Sequence, residues 1–332
     1  MENSLEFVLS RPDYITHIFT SDVDSMYSSL NQEFIYNAVS EEIAFVFHIH
    51  GARGIKVHIQ PGNNNNGDSA SFVTKRAPTY LHGEYTFKHL QALLHCAINT
   101  YYMSVGNANF KQLRGIPMGG AASPHLANLA LVHLEKAYVT AHPDTAFQHN
   151  VWRYMDDFAI VNSPTFQDLY RDIYPEYSGV VLVPNVLPPD PSLLTQAHFL
   201  DMHIFVPVDA QEVHITLYDK RMNFPFTIHK FPHVSSNFCI QQTHGVFFSE
   251  LVRIYRINTH FKGFLKNVSM LYLYCVQSRG FSPKRIYILI WKFIRRIEGR
   301  NRYGPMPAMT LFTTIIAAIF EALHGAVGMP DA

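Results

Sequence analysis

Two adjacent carboxylates lie in the middle of an apolar segment of this 332-residue chain. Asp156 and Asp157 follow Tyr154 and Met155, and apolar, strand-forming residues stand on both sides. Neighbouring negative charges repel each other and aspartate is depleted in strands, so fold stability gives no reason to place the pair there. A divalent cation would give one, because hard cations such as Mg²⁺ prefer carboxylate oxygens. The segment therefore predicts a hairpin whose tip binds metal.

A pair of cations about 3.5–4 Å apart, as in phosphoryl-transfer enzymes, needs a further carboxylate from elsewhere in the chain. Asp22 is the best candidate, because it lies near the end of an apolar run, residues 15–23, that predicts a buried strand. If that strand lies antiparallel beside the hairpin, Asp22 comes next to Asp156. Asp24 is the alternative, but two residues further on we expect the chain to have entered a turn.

The elements that must position these residues are predicted to be a mixture of strands and helices. Asn31 is the predicted N-cap of one helix, and a second helix is predicted from about residue 86 to residue 102. Between them, residues 49–85 are rich in Gly, Pro and Asn, which indicates an insertion loop with one hairpin. A third helix is predicted to begin with Ser123 as its N-cap and Pro124 in its first turn.

The remainder of the chain is predicted to hold a second hairpin and then helices. Two apolar runs, residues 199–206 and 213–218, predict the hairpin. The C-terminal run, residues 309–327, is hydrophobic but contains Glu321 and His324. These polar residues favour a docked or buried helix over a membrane span.

Residues 220–302 concentrate positive charge although the whole chain is formally neutral. This segment holds 15 Lys and Arg against two Asp and Glu, whereas residues 1–219 hold 11 against 22 and residues 303–332 hold none against two. Aromatic residues are interleaved with the basic ones, which is typical of a surface that binds a phosphate backbone. Solvated helix faces are the alternative interpretation.

Three segments of the chain occur in an informative order. They are Ser21-Asp22-Val23-Asp24-Ser25-Met26-Tyr27, then Gly115-Ile116-Pro117-Met118-Gly119 with Ser123-Pro124-His125-Leu126-Ala127-Asn128-Leu129, and then Tyr154-Met155-Asp156-Asp157. In order and spacing they closely resemble motifs A, B and C of reverse transcriptases, and the resemblance covers about residues 15–290. The downstream Phe199-Leu200-Asp201 resembles the primer-grip hairpin of that family. The second segment looks most like Penelope-like retroelements, with telomerase reverse transcriptase as a more distant relative.

This resemblance implies an RNA-directed DNA polymerase that extends a primer 3′-hydroxyl by two-metal nucleotidyl transfer. It implies that Asp22 and Asp156 are metal-binding carboxylates, that Asp157 has a secondary role beside them, and that the Val23 carbonyl is a further ligand. The implied cofactor is Mg²⁺, two ions per site, with Mn²⁺ as a substitute. The implied substrates are deoxynucleoside triphosphates.

The resemblance also implies a nucleotide-binding site next to the carboxylates. Tyr27 stands five residues after Asp22, at the position of the aromatic side chain that in this family excludes a ribose 2′-hydroxyl. The glycine-rich turn and the helix start would form the floor under the incoming nucleotide, because glycines let a backbone approach closely. The residues implied for this floor are Met118, Gly119, Ser123 and Pro124.

The basic segment would then be a thumb that holds a duplex of RNA template and DNA primer. Contacts to phosphates suit an enzyme that copies any sequence, since they carry no sequence information. The implied nucleic-acid-binding residues are Lys220, Arg221, Lys230, Arg253, Arg256, Lys284, Arg285, Lys292, Arg295 and Arg296.

The implied fold class is α+β, with a polymerase palm, an antiparallel sheet backed by helices, followed by a helical thumb. The palm would span residues 1–205, including the insertion loop at 49–85. The primer-grip hairpin and basic thumb would span residues 206–302, and a hydrophobic C-terminal helix or tail residues 303–332. Because the chain begins only about twenty residues before Asp22, the fingers are expected to be largely missing from it.

Two alternatives stay open at this point. One is a truncated, non-catalytic nucleic-acid-binding remnant, because no Lys between Lys136 and Lys220 matches the proton-donating lysine that often follows motif C in the family. The other is an RNA-dependent RNA polymerase, against which Tyr27 and the second segment argue. The family implies a nuclear or intracellular location and no membrane partner. An endonuclease, if one takes part, would be another domain or chain.

Overall fold

The computed structural model of the chain describes residues 15, 17–58, 69–74, 84–143, 150–163, 166–184, 196–206 and 213–326. These residues divide into two compact units. One lies within Thr20–Leu187, and the other lies within Pro188–Ala332 together with the described residues before Thr20. Strands and helices are numbered below in chain order.

A four-stranded sheet forms the centre of the first unit. In spatial order its strands are β7 (Asn150–Tyr154), β8 (Asp157–Val161), β1 (Ile18–Val23) and β9 (Leu182–Pro184). β7 pairs antiparallel with β8, and β1 pairs antiparallel with β9. Every residue of β1 except Asp22 is buried, which confirms the prediction of a buried strand.

Helices make up most of the rest of the first unit. They are α1 (Met26–Ser29), α2 (Gln32–Ile49), α3 (Phe87–Asn99), α4 (Ser123–Ala141) and α5 (Phe166–Ile173). Asn31 caps α2 as predicted, since its side-chain oxygen accepts hydrogen bonds from the amides of Glu33 and Phe34. α2 packs against both α3 and α4 through buried residues such as Ile35 and Val39.

Two small sheets complete the first unit. The predicted hairpin in the insertion is confirmed, since β2 (Gly54–His58) pairs with β3 (Ser69–Val73), and β4 (Glu84–Thr86) adds a third strand on the other side of β2. Residues 59–68 and 75–83 of the predicted insertion lie outside the described residues. A further hairpin of β5 (Tyr102–Val105) and β6 (Ala108–Lys111) is exposed at every position and was not predicted from the sequence.

The start of α4 differs from the prediction. Ser123 is the first helical residue rather than the N-cap, and the N-cap position is occupied by Ala122 without a side-chain hydrogen bond. The reason lies in the preceding turn, where the Ser123 amide donates to the Gly120 carbonyl at 3.1 Å. The backbone of Ser123 has therefore already turned, and its hydroxyl lies close to Gly120 instead of bonding to the amides of the first helical turn.

The second unit begins with a three-stranded antiparallel sheet of β10 (Gln196–Phe199), β11 (Met202–Phe205) and β12 (His214–Leu217). The sequence suggested that the apolar run 199–206 forms one strand of a hairpin. In the structure the run instead contains the end of β10, a turn and the whole of β11. Its turn at Leu200 has a φ of 56°, a conformation of which the apolar run gives no sign.

Four helices follow this sheet. They are α6 (Ile240–Ile257), α7 (Phe261–Leu273), α8 (Pro283–Ile297) and α9 (Ala308–Ala326), with a π-helical turn at Tyr274–Ser278 after α7. Their shared core is aromatic, and Phe247, Phe264 and Phe293 are almost completely buried.

The C-terminal helix α9 packs against α7 and α8. Its buried side includes Leu311, Ile315 and Ile319, which confirms that the C-terminal run forms a docked helix. Within the described part of the chain, no helix combines the length and the apolar character needed to cross a membrane.

Candidate active site

The Asp-Asp segment forms the predicted hairpin, and its turn is strained. Tyr154 pairs with Asp157, which leaves Met155 and Asp156 as a two-residue turn between β7 and β8. Met155 has a φ of 57°, in the left-handed region that non-glycine residues seldom occupy. Such a conformation costs about 1–3 kcal/mol and persists only where the surrounding structure holds it in place. Both carboxylates of the segment are half-buried.

The end of β1 lies directly beside this turn. The Val23 amide donates a hydrogen bond of 2.9 Å to the Asp156 carbonyl. Asp22, the residue before Val23, is therefore positioned at the same end of the sheet as Asp156. Asp24 has left the strand, as expected, and is exposed, with its carboxylate accepting a hydrogen bond from the Ser25 hydroxyl at 3.0 Å.

The turn is also held from behind by Arg153, a residue that sequence reasoning missed. Its Nη1 donates to the Met155 carbonyl at 3.0 Å and to Oδ1 of Asn128 at 2.8 Å. Its Nε and Nη2 donate to the two carboxylate oxygens of Glu135 at 2.5 and 3.1 Å. The Tyr174 hydroxyl donates to the same carboxylate at 2.6 Å. The sequence signal was one arginine directly after the apolar residues Val151 and Trp152 of the predicted hairpin.

The ionisation of this group of side chains is fixed by burial and by Glu135. Burial and then the charge of Glu135 raise the pKa of Tyr174 well above its usual range, so the phenol stays protonated. Burial opposes the charge of Arg153, but the hydrogen bonds and charge of Glu135 outweigh it and raise the pKa of Arg153. The Arg153 side chain is 7% exposed and that of Glu135 is 32% exposed, so the arginine is largely shielded from solvent and the carboxylate is partly accessible.

Tyr27 lies in α1, close to the Asp156 carboxylate. Burial and then the negative charge of Asp156 raise the pKa of Tyr27 above its usual range. The phenol is therefore neutral at pH 7 and adds no charge beside the two aspartates. Tyr27 therefore lies after β1 and within electrostatic reach of the turn that carries Asp156.

Two glycines hold the segment that carries Tyr27. Gly115 has a φ of 71°, and a Cβ there would lie 2.3 Å from the Tyr27 carbonyl oxygen. Gly179 has a φ of 79°, and a Cβ there would lie 2.1 Å from the Ser29 carbonyl oxygen. The Ile116 amide also donates to the Tyr27 carbonyl at 2.7 Å. The glycine-rich turn thus serves first to pack against α1.

The remaining residues of the predicted nucleotide floor have different environments. Met118 is 80% exposed, and the space around Gly119 is open. Ser123 is buried, and its hydroxyl has no hydrogen-bond partner among the described residues. Pro124 is half-buried in the first turn of α4. The structure places these residues on one turn and helix start but shows no contact that would bind a nucleotide by itself.

Asp22, Asp156 and Asp157 are the carboxylates that could serve as metal ligands at this end of the sheet. Among the residues that the structure describes, no three side chains of Asp, Glu, His or Cys are close enough together to hold a metal ion. Asp22, Asp156 and Asp157 therefore do not form a ready-made cage. Mg²⁺, however, is commonly bound by one or two carboxylates together with substrate phosphates and water. Two strand-end aspartates with the Val23 carbonyl nearby fit that mode of binding.

The predicted thumb residues fall into two groups. Four are engaged with acidic side chains: Arg221 with Asp219, Lys230 with Glu250, Arg253 with Asp201 at 2.6 Å, and Arg295 with Glu298 at 2.6 Å. The other six are exposed: Lys220, Arg256, Lys284, Arg285, Lys292 and Arg296. The exposed group is the one that can contact a ligand without first breaking an ion pair.

A groove in the second unit collects part of this charge. Its volume is about 560 Å³, and Arg253 and Arg256 of α6 and Arg296 of α8 line it. Ser249 adds a hydroxyl, and Phe248 adds an aromatic wall over which the Arg296 guanidinium lies at 5.9 Å. Asp201 is the acidic residue of the groove, and it is already paired with Arg253.

Comparison with solved structures gives the fold. No protein-family model matches the sequence, and no curated protein matches it. A telomerase from Candida albicans, solved with a fragment of telomeric RNA, matches with a TM-score of 0.57 and 13% sequence identity, and the match covers 98% of this chain and 53% of the telomerase. An apo telomerase from Candida tropicalis matches with a TM-score of 0.42 and 14% identity, covering 94% of this chain and 50% of that telomerase. The Sicinivirus RNA-dependent RNA polymerase matches with a TM-score of 0.37 and 12% identity, covering 93% of this chain and 52% of the viral protein.

Of these three, the Candida albicans telomerase alone has a TM-score above 0.5, so the fold comparison rests on it. This chain spans about half the length of the telomerases it matches. The prediction of an α+β fold is confirmed, with a palm-like antiparallel sheet and a helical, thumb-like second unit. The chain shares its fold with about half of the Candida albicans telomerase.

Proposed function

We propose that this chain is the palm and thumb of an RNA-directed DNA polymerase, from a retroelement that most resembles the Penelope-like group. The observation that carries the proposal is the hydrogen bond from the Val23 amide to the Asp156 carbonyl. It brings the end of the strand that carries Asp22 to the turn that carries Asp156. Two acidic strand ends side by side, with a neutral aromatic ring next to them, suit phosphoryl transfer to a primer.

Each residue of the site has a definite task in this reaction. Asp22, Asp156 and the Val23 carbonyl would hold Mg²⁺, or Mn²⁺ in its place, with Asp157 in support. When bound, two such ions supply activation of the attacking oxygen and stabilisation of the leaving one. The protein's own contribution is to hold these oxygen ligands in place before the nucleotide arrives, since positioning and electrostatics dominate phosphoryl transfer.

Tyr27 would select the sugar of the incoming nucleotide. Its ring stands next to Asp156, and its backbone is held by Gly115 and Ile116. A ring at this position would exclude a 2′-hydroxyl by contact, because the ring and the extra oxygen cannot occupy the same space. Deoxynucleoside triphosphates are therefore the preferred substrates.

We expect Tyr27→Ala to lower the preference for deoxynucleotides over ribonucleotides by roughly 10- to 100-fold, within the discrimination that a pocket achieves against one added hydroxyl. Single-nucleotide incorporation kinetics with each sugar measure this ratio. Tyr27→Phe is the matched control, since it keeps the ring and should keep the preference. An unchanged ratio in Tyr27→Ala would remove Tyr27 from this role.

The exposed basic side chains of the second unit would bind the template and primer duplex. Arg256 and Arg296 share a groove, and neither belongs to the four ion pairs described above. Contacts of this kind are electrostatic, so the logarithm of the affinity should fall linearly with the logarithm of the salt concentration.

We expect Arg256→Gln combined with Arg296→Gln to reduce that salt slope by about two, because each substitution removes one cation that would neutralise a phosphate. Fluorescence anisotropy with a labelled RNA–DNA duplex, titrated at several salt concentrations, measures the slope. Lys262→Gln is the control, because Lys262 is an exposed cation of α7 that does not line the groove. Equal slopes in the double variant, the control and the unaltered protein would argue against the groove as a phosphate-binding surface.

Primer extension tests the proposal as a whole. The protein, with Mg²⁺, a DNA primer and an RNA template, should add deoxynucleotides to the primer, and chelation of Mg²⁺ should stop the reaction. Preferential addition of ribonucleotides would instead indicate an RNA-dependent RNA polymerase. Duplex binding without any Mg²⁺-dependent extension would indicate a non-catalytic nucleic-acid-binding remnant.

A further inference from the structure

We propose that Arg153 is a positioning residue for the Asp156 turn, an inference that rests on the proposed function. One side chain joins three parts of the first unit. It contacts the turn through the Met155 carbonyl, helix α4 through Asn128 and Glu135, and, through Glu135, the Tyr174 hydroxyl. These contacts give the strained turn a support in addition to its hydrogen bond from β1.

The hydrogen bond from Arg153 is made to Met155, the residue of the turn with the strained backbone. Met155 keeps a positive φ that its side chain disfavours, and its carbonyl accepts the Nη1 hydrogen bond of 3.0 Å. The next residue, Asp156, is held at its own carbonyl by the Val23 amide at 2.9 Å. The turn is thus fixed at two successive carbonyls, which restricts the backbone that carries the Asp156 side chain.

An arginine is required for this geometry. Its guanidinium binds both oxygens of Glu135 and still has Nη1 left for Met155 and Asn128. A lysine ammonium is a single point of charge and cannot reproduce this planar fork. Lysine in place of Arg153 would keep the ion pair with Glu135 but would no longer support the turn.

Helix α4 gives the contact a second consequence. Asn128 and Glu135 are seven residues apart, two helical turns, and so lie on one face of α4. The same helix begins with Ser123 and Pro124, the predicted floor of the nucleotide site. Arg153 therefore fixes the catalytic turn relative to the element that would support the incoming nucleotide.

Two variants separate positioning from simple stabilisation. Arg153→Lys removes the fork, whereas Tyr174→Phe removes one hydrogen bond to Glu135 and leaves the Arg153 contact to Met155 in place. We expect Arg153→Lys to accelerate hydrogen exchange in the peptide spanning residues 150–161 by about tenfold. We also expect it to lower kcat for primer extension by about 10- to 100-fold with little change in KM for the duplex. Tyr174→Phe should change both by less than about threefold.

The two readouts can fail separately. If the unaltered protein extends no primer but Arg153→Lys still accelerates exchange in the turn, the proposed function fails and the positioning role stands. If Arg153→Lys leaves both exchange and kcat within about twofold of the unaltered protein, the positioning role is overturned whatever the activity. If Tyr174→Phe has the same effects as Arg153→Lys, Arg153 is only part of a stabilising ion pair, which also overturns it.

Discussion

Asp156→Asn is expected to reduce primer extension by at least about 10³-fold, the scale on which charge stabilisation acts in phosphoryl transfer. Asparagine keeps the size of the side chain but removes the negative charge that would hold Mg²⁺. The turn itself should persist, because Val23 and Arg153 hold it through backbone carbonyls. Duplex binding, attributed to the second unit, should be unchanged, as fluorescence anisotropy would show.

Asp24→Asn is the matched control for this variant. It makes the same change of charge two residues after Asp22, but Asp24 is exposed and lies outside the strand. We expect activity within about threefold of the unaltered protein, since a surface charge that does not contact the reacting atoms is screened. An equal fall in activity in both variants would show that Asp22 and Asp24 had been assigned the wrong way round or that net charge matters more than position.

Gly115→Ala is expected to destabilise the fold by about 2–5 kcal/mol, from a positive φ that alanine disfavours and from overpacking against α1. The new Cβ would lie 2.3 Å from the Tyr27 carbonyl oxygen and 2.6 Å from the Ser28 Cα, both parts of the backbone. A backbone atom cannot rotate away as a side chain can, so α1 must shift. Urea unfolding followed by circular dichroism measures the change in the free energy of unfolding.

Gly119→Ala separates the two causes. Gly119 also has a positive φ, 91°, but a Cβ there meets nothing within 4 Å. Only the backbone strain remains, so we expect a destabilisation of about 1–2 kcal/mol. If Gly115→Ala were no more destabilising than Gly119→Ala, the close packing of the glycine-rich turn on α1 would be ruled out.

Much of the local structure was predictable because it depends on neighbours in the sequence. The hairpin around Asp156, the cap at Asn31 and the buried strand ending at Val23 were all predicted correctly, since apolar runs and capping chemistry act over a few residues. The positions of helix starts and of tight turns were predicted less accurately. Ser123 was wrongly predicted as an N-cap, and the turn at Leu200 was not predicted. Both features depend on backbone conformations that cannot be inferred from the types of these residues.

The exposed hairpin of β5 and β6 shows the same limit. One of its faces carries Met103, Val105 and Phe110, all more than half exposed, so no burial pattern marked the segment as structured.

The basic segment, residues 220–302, was predictable in part. Its charge was evident from counting residues, but which cations are engaged depends on partners such as Glu250 and Asp201 that lie 20 and 52 residues from Lys230 and Arg253.

The sequence alone led to the chemistry that we propose for this protein. It contains the acidic pair, Asp22 before it and the basic segment after it, and these depend only on residue types and their spacing. What only the tertiary structure decided is how the acidic turn is held. Arg153 binds the Met155 carbonyl and Glu135, 18 residues away in the chain, and Glu135 in turn accepts a hydrogen bond from Tyr174, 21 residues from Arg153. Contacts of this kind follow from how helices pack beside a sheet, and no local pattern of residues encodes them.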